Sequence, residues 1–283
     1  MNGRTWRSIV EAGTLATLVI GCDVPRPTAP PRATPNGEVA TSSSDAAVVR
    51  QLAAARQIVP LPPTPYVRPA LSRLGQALAF DKILSGTRDI SCMTCHLPAF
   101  GTGDGKSLSV GQGGTGLGPG RSHAGGVFIP RNAPALFNMS AMRHLFWDGR
   151  VEVDARGVFH TPAGARLTPE MTRVFEFGAI SALPLFPVTN RDEMRGYLGN
   201  ELAEIPDTGV TTMWAGIMKR LGSIPEYRGM FEAAYPGTKF GDMTFAHAAN
   251  AIAGFIVDRL SFYAPYKMHP DRWRQVLAAL QAA

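Results

Sequence analysis

The chain has 283 residues, of which 45% are hydrophobic and 18% charged, with a formal charge of +6. That apolar content is enough for a packed core in one large or two small domains. The basic excess is thin: Arg4, Arg7, Arg26 and Arg32 fall in the first residues, and no Lys/Arg cluster interleaves with aromatics, so nucleic-acid binding is excluded as a reading.

Arg4 and Arg7 precede an apolar run from about Ala12 to Ile20 that ends Val19-Ile20-Gly21-Cys22. This order of charge, apolar stretch and small residue is that of a secretory signal over residues 1–22, too short to span a bilayer. A small residue just before a cysteine resembles a bacterial lipobox, which would leave Cys22 as a lipid anchor. The plainer alternative is an ordinary signal peptide. Either way the chain is expected in the periplasm. Residues 23–45, with Pro25, Pro27, Pro30, Pro31 and Pro35 leading to Ser42-Ser43-Ser44, cannot bury a core and read as a semi-rigid tether.

Helical patterning starts at 46–57 and resumes at 70–81, where Leu71, Leu74, Ala77 and Leu78 share a face. The segment after Ile90 reads as extended and carries Cys92-Met93-Thr94-Cys95-His96. C-x-x-C-H is the attachment signature of c-type haem: two thiols spaced for the two porphyrin vinyl groups and an imidazole placed to hold the iron. Two other chemistries fit the cysteines. A zinc site would want a second ligand pair, and the remaining cysteine is Cys22; a redox dithiol would want a βαβ context.

Residues 101–126 are rich in glycine and read as a long loop. Gly111 to Gly116 satisfy G-x-G-x-x-G by letter, yet Leu117-Gly118-Pro119-Gly120 follows, where a nucleotide site needs a helix start. Residues 150–190 read as loop with short helices. Helices are then predicted at 192–204, 211–221, 225–235, 245–263 and 271–282, and few alternating runs occur. The fold class is mainly α, a cytochrome c-like haem domain with long Gly/Pro-rich loops.

Several segments together resemble the bacterial di-haem cytochrome c peroxidase family, which includes MauG-like enzymes. They are Leu74–Asp81, Leu84-Ser85 and Ile90-Ser91-Cys92, then Arg131-Asn132-Ala133-Pro134, Phe146-Trp147-Asp148-Gly149-Arg150, Asp192-Glu193-Met194 and Pro265-Tyr266. The resemblance covers roughly residues 70–266, within a first-haem domain expected at 46–266. It implies one covalent haem c on Cys92, Cys95 and His96, with His96 binding the iron. Glu193 would be the distal acid/base for hydrogen peroxide and Trp147 an electron relay. Asn132 would contribute to a calcium site, since an amide oxygen suits a hard cation.

Each residue also has a structural reading. Trp147 would be a core aromatic, Asp148 and Arg150 a structural pair, Glu193 a helix-start carboxylate and Asn132 a turn former. Where many relatives carry a sixth-ligand histidine, this chain has Ser109-Val110-Gly111-Gln112. His123 and His144 are the nearby candidates for that ligand, with His123 alternatively a surface residue. The glutamine that accompanies the distal glutamate is also absent, with Leu183 or Pro184 near its place. Past Tyr266 the chain runs into a divergent helix, 267–283, where the family has a second haem domain.

The implied function is reduction of hydrogen peroxide, or oxidation of a partner, fed by a small donor cytochrome or cupredoxin, or by a second haem chain. The alternatives are a low-spin mono-haem electron carrier, with His123, Met139 or Met142 as sixth ligand, and a truncated half that needs a partner chain.

Overall fold

The structure, a computed structural model, describes residues 43–57 and 63–261. The leader, the tether up to residue 42 with Cys22, and the helix expected at 271–282 lie outside the described residues. What is described is mainly helical, as expected: α1 (Ser43–Ala55), α2 (Pro69–Phe80), α3 (Cys92–Cys95), α4 (Pro169–Thr172), α5 (Ala179–Ala182), α6 (Val210–Gly222), α7 (Pro225–Ala234) and α8 (Phe245–Arg259).

The core is the packing of α2 on α8. Leu71, Leu74 and Leu78 are fully buried against a face of α8 that runs from Phe245 to Val257. Gly75 permits this approach, because a Cβ there would overlap the Ala251 carbonyl. Polar ties fix the register: Ser72 Oγ donates to Asp258 Oδ2 (2.8 Å) and Tyr227 on α7 donates to Asp81 Oδ2 (2.6 Å). Asn250, fully buried on α8, accepts from Glu176 N (2.9 Å) and Ser181 Oγ (3.0 Å), so the long 150–190 connection is pinned to the core.

Three readings of the sequence need correction. A small antiparallel sheet, β1 (His144–Leu145), β2 (Val151–Val153) and β3 (Phe159–His160), occupies part of what read as loop. Its strands are too short for alternation to show. The helix expected at 192–204 is instead a single π-helical turn, Arg191–Arg195, followed by turns. Gly196 (φ 80°) and Gly199 (φ 76°) take left-handed conformations that end it. The segment carrying the cysteines is not extended, since Cys92–Cys95 closes one helical turn.

Candidate functional site

The C-x-x-C-H turn is built from both sides. Upstream, Arg220 of α6, nearly buried, donates to the carbonyls of Ile83, Ser85 and Gly86, which fixes the approach to the motif. At the turn itself Ser91 N donates to Thr94 Oγ1 (3.0 Å) and His96 N donates to Cys92 O (3.1 Å). This capping leaves both cysteines half-buried one turn apart and in no disulfide, with Cys95 Sγ donating to Val110 O (3.8 Å). Burial is the main cause that pushes Cys92 up to about 12 and Cys95 to about 11; the nearby Glu193 carboxylate adds to both.

His96 is oriented by the loop that follows it. Leu97 N donates to Gly103 O and Thr102 N to Leu97 O, both at 2.9 Å, closing a small ring. Thr102, at φ 63°, thereby aims its carbonyl at the imidazole, and Nδ1 lies 2.9 Å from it. A carbonyl only accepts, so Nδ1 carries the proton and Nε2 keeps the lone pair a metal needs. Burial holds the ring below its ordinary pKa, in the neutral form. The Pro134 carbonyl also faces the ring, and Leu136 N donates to Thr102 Oγ1 (2.7 Å). The Arg131–Pro134 turn is thus a brace for His96, with Ala133 N held by Ser109 Oγ (2.8 Å). Asn132 is exposed on it.

The glycine-rich loop is ordered by Arg121, which is 3% exposed and donates to the carbonyls of Val110 (2.8 Å), Gly111 (2.7 Å) and Gly116 (3.1 Å). The same guanidinium lies near enough to Cys95 to favour its charged form. A 3-10 turn, Gly118–Gly120, follows the G-x-G-x-x-G letters where a nucleotide site would open a long helix. His123 sits on this loop, with Nδ1 accepting from Gly125 N (2.9 Å) and its ring against Gly113. His144 faces Glu152 across β1 and β2 at 2.6 Å. Met139 is buried in the core and Met142 is exposed.

Glu193 is carried by the π-helical turn. Asn190 Oδ1 accepts from Asp192 N (2.9 Å) and Glu193 N (3.2 Å), capping its start. From below, Gln112 N donates to Glu193 O (2.9 Å), and Gly111 lets the Asp192 carbonyl pack where a side chain would collide. The stretch Ser109–Gln112 therefore seats the Glu193 turn. Arg195, 1% exposed, ties the same turn to Asp207 (2.6 Å) and to the carbonyls of Leu202 and Ile205. The Glu193 side chain is half-buried, and that desolvation pushes its pKa up to about 6, with Arg150 pulling it down and Asp192 pushing it up.

Phe146–Arg150 form the connection between β1 and β2. Gly149 N donates to Phe146 O (3.2 Å), and Asp148 takes both the backbone N (3.2 Å) and the side chain (3.1 Å) of Arg150, the structural pair expected. Phe146 sits at φ 63°, rare for a bulky residue. Trp147 is not the core aromatic of the structural reading: it is 69% exposed, with the Arg131 guanidinium stacked 3.8 Å from its ring centroid. The tight turn turns it outward, while Arg150 covers Phe146 (3.9 Å) and influences Glu193.

The structure thus brings Cys92, Cys95, His96, Glu193 and Arg150 into one neighbourhood, with Trp147 on its rim and His123 and Asn132 on adjoining loops. Thr102, Asp104, Arg121 and Arg150 belong to the same neighbourhood. Of these, only Arg150 is legible in the sequence, as the partner of Asp148 within the Phe146–Arg150 segment.

The fold and site define a mainly helical domain organised around a C-x-x-C-H turn. The family model described as "Di-haem cytochrome c peroxidase" matches residues 69–274, and the chain belongs to this family, whose members bind c-type haem. It is 25% identical over 232 residues to the methylamine utilization protein MauG of Methylorubrum extorquens, covering 82% of this chain and 49% of that one. It is 36% identical over 95 residues to the cytochrome-c peroxidase IdrP2 of Pseudomonas sp. (strain SCT), covering 34% and 23%. The chain spans at most about half the length of these relatives. A crystal structure of a MauG-like protein associated with microbial copper homeostasis is similar at 22% identity and TM-score 0.41, covering 72% of this chain and 45% of that one. Among the described residues no helix is long and apolar enough to cross a membrane.

Proposed function

We propose that this chain is an exported c-type haem protein that reduces hydrogen peroxide at an iron held by His96. One observation carries the reading: a half-buried carboxylate with pKa about 6, Glu193, stands beside the C-x-x-C-H turn. The residues fit a haem c. Apolar burial keeps Cys92 and Cys95 as thiols, the form that adds S–H across a vinyl bond, and the Nδ1 contact of His96 leaves Nε2 as a ligand. When bound, the haem supplies the redox-active iron at which the peroxide bond is cleaved.

The chain's own residues handle protons and electrons around it. Glu193 as carboxylate takes a proton from one peroxide oxygen and returns it to the leaving oxygen, for which a pKa near the working pH is suited. Arg150 keeps that carboxylate from rising further. Reduction to two waters consumes two electrons and two further protons. The electrons come from a small donor cytochrome or cupredoxin, or from a second haem chain, and enter through exposed Trp147, whose stack on Arg131 holds the indole at the surface. Cys22 as lipid anchor, periplasmic location, and calcium on the Asn132 turn belong to the same reading.

The test is expression with c-type haem maturation, followed by visible spectra of the ferric protein before and after peroxide. Covalent haem and a rapid spectral change on peroxide are expected. A low-spin spectrum that ignores peroxide would contradict the enzyme reading and indicate an electron carrier with a protein sixth ligand such as His123.

A further inference from the structure

Asp104 follows directly on the ring of backbone bonds that orients His96. Leu97 pairs with Gly103, Thr102 offers its carbonyl to the imidazole, and Asp104 is the next residue after that pair. It is 1% exposed. Its Oδ1 accepts from Lys106 N (3.0 Å), but its Oδ2 is buried and has no partner. The cations within reach in sequence are committed elsewhere: Lys106 Nζ donates to Pro119 O (3.2 Å) and Arg121 is spread over the carbonyls of Val110, Gly111 and Gly116.

A buried carboxylate oxygen without a donor is costly, on the order of 1–3 kcal/mol or more. Closing the turn explains only Oδ1, and an asparagine or serine would do that equally well. What the carboxylate adds is charge in a place of low dielectric near His96. Its field is felt at both His96 and Cys95, where it favours the protonated forms.

We infer that Asp104 is a positioning residue of the His96 side, whose unpaired carboxylate stabilises the ferric over the ferrous state and so lowers the reduction potential of an iron bound to His96. The inference rests on the haem reading above. Its physical basis is that one electron added to the iron meets a buried negative charge with no direct ion-pair partner nearby. Asp104 touches neither peroxide nor the iron; it acts through the field around the imidazole.

The experiment is a spectroelectrochemical titration of the haem-loaded chain, with haem content measured separately by pyridine haemochrome. Asp104→Asn and Asp104→Ser both keep an acceptor for Lys106 N while removing the charge. Both should shift the midpoint potential in the positive direction, with haem content and the ferric spectrum unchanged. Potentials equal to that of the unmodified chain would overturn the inference and reduce Asp104 to a turn former. A chain that matures with no haem would overturn the haem reading, and this inference with it. The serine variant covers the case in which the asparagine variant fails to mature.

Discussion

The His96 turn and the Glu193 turn are both single turns, yet the balance of local and distant support differs between them. His96 is oriented first by near neighbours in sequence, with the Arg131–Pro134 turn as a further brace: Ser91 and Thr94 cap the turn, and the Thr102 carbonyl meets Nδ1. Glu193 has one local cap in Asn190 but is seated by more distant residues: Gln112 and Gly111 meet its backbone, Met194 O accepts from Gly86 N (2.7 Å), and Asp207 anchors Arg195. A locally coded site survives partial loosening of the fold, whereas a site assembled from distant segments fails as soon as those segments separate. Cofactor attachment and proton handling should therefore be separable by mutation.

The largest effect is expected at the local site. Cys95→Ser should leave at most one thioether, and Cys92→Ser together with Cys95→Ser none, read as loss of haem that resists acid–acetone extraction. Retention of covalent haem in the double variant would break the account of this turn.

Gly111→Ala sharpens the contrast, because the added methyl must displace the Asp192 carbonyl. Overpacking of this kind costs roughly 1–3 kcal/mol. Peroxide turnover should fall while haem content stays normal, and equal losses of both would show that the two turns are not independent.

Thr102→Val probes the local side more gently. The carbonyl that meets His96 remains, but Leu136 N loses its acceptor. A destabilisation of about 1–3 kcal/mol is expected in chemical unfolding, with the ferric spectrum little changed.

Trp147→Phe should have the smallest effect on the peroxide step. Its indole faces solvent, so oxidation of an added donor cytochrome should slow while the first reaction with peroxide keeps its rate. Slowing of both would move Trp147 from the rim into the site.

Legibility in the sequence follows the same division. Helices α2, α6, α7 and α8 were visible because their buried faces repeat at helical spacing, and the C-x-x-C-H motif because its chemistry is contiguous. The hairpin carrying Trp147 was not, since β1 and β3 have two residues each and offer no alternation. Residues 192–204 carry a helical pattern because Asp192–Arg195 begins like a helix, and only Gly196 and Gly199 in left-handed conformations show where it stops. Thr102, Asp104 and Arg121 lie in a glycine-rich loop, where a polar residue reads as solvated. Their burial arises from the loop folding back on the His96 turn, a tertiary fact with no local signature.

The most direct test of the account is the pH dependence of the peroxide reaction in the haem-loaded chain and in Glu193→Gln. With its pKa at about 6, the Glu193 carboxyl is protonated below that pH and cannot accept a proton, so the rate should fall as pH drops through about 6. The glutamine variant should lose that inflection and run roughly 100- to 10,000-fold slower on its plateau, the usual span for a lost acid–base group. The same rate and the same inflection in both proteins would contradict the claim that Glu193 manages the proton.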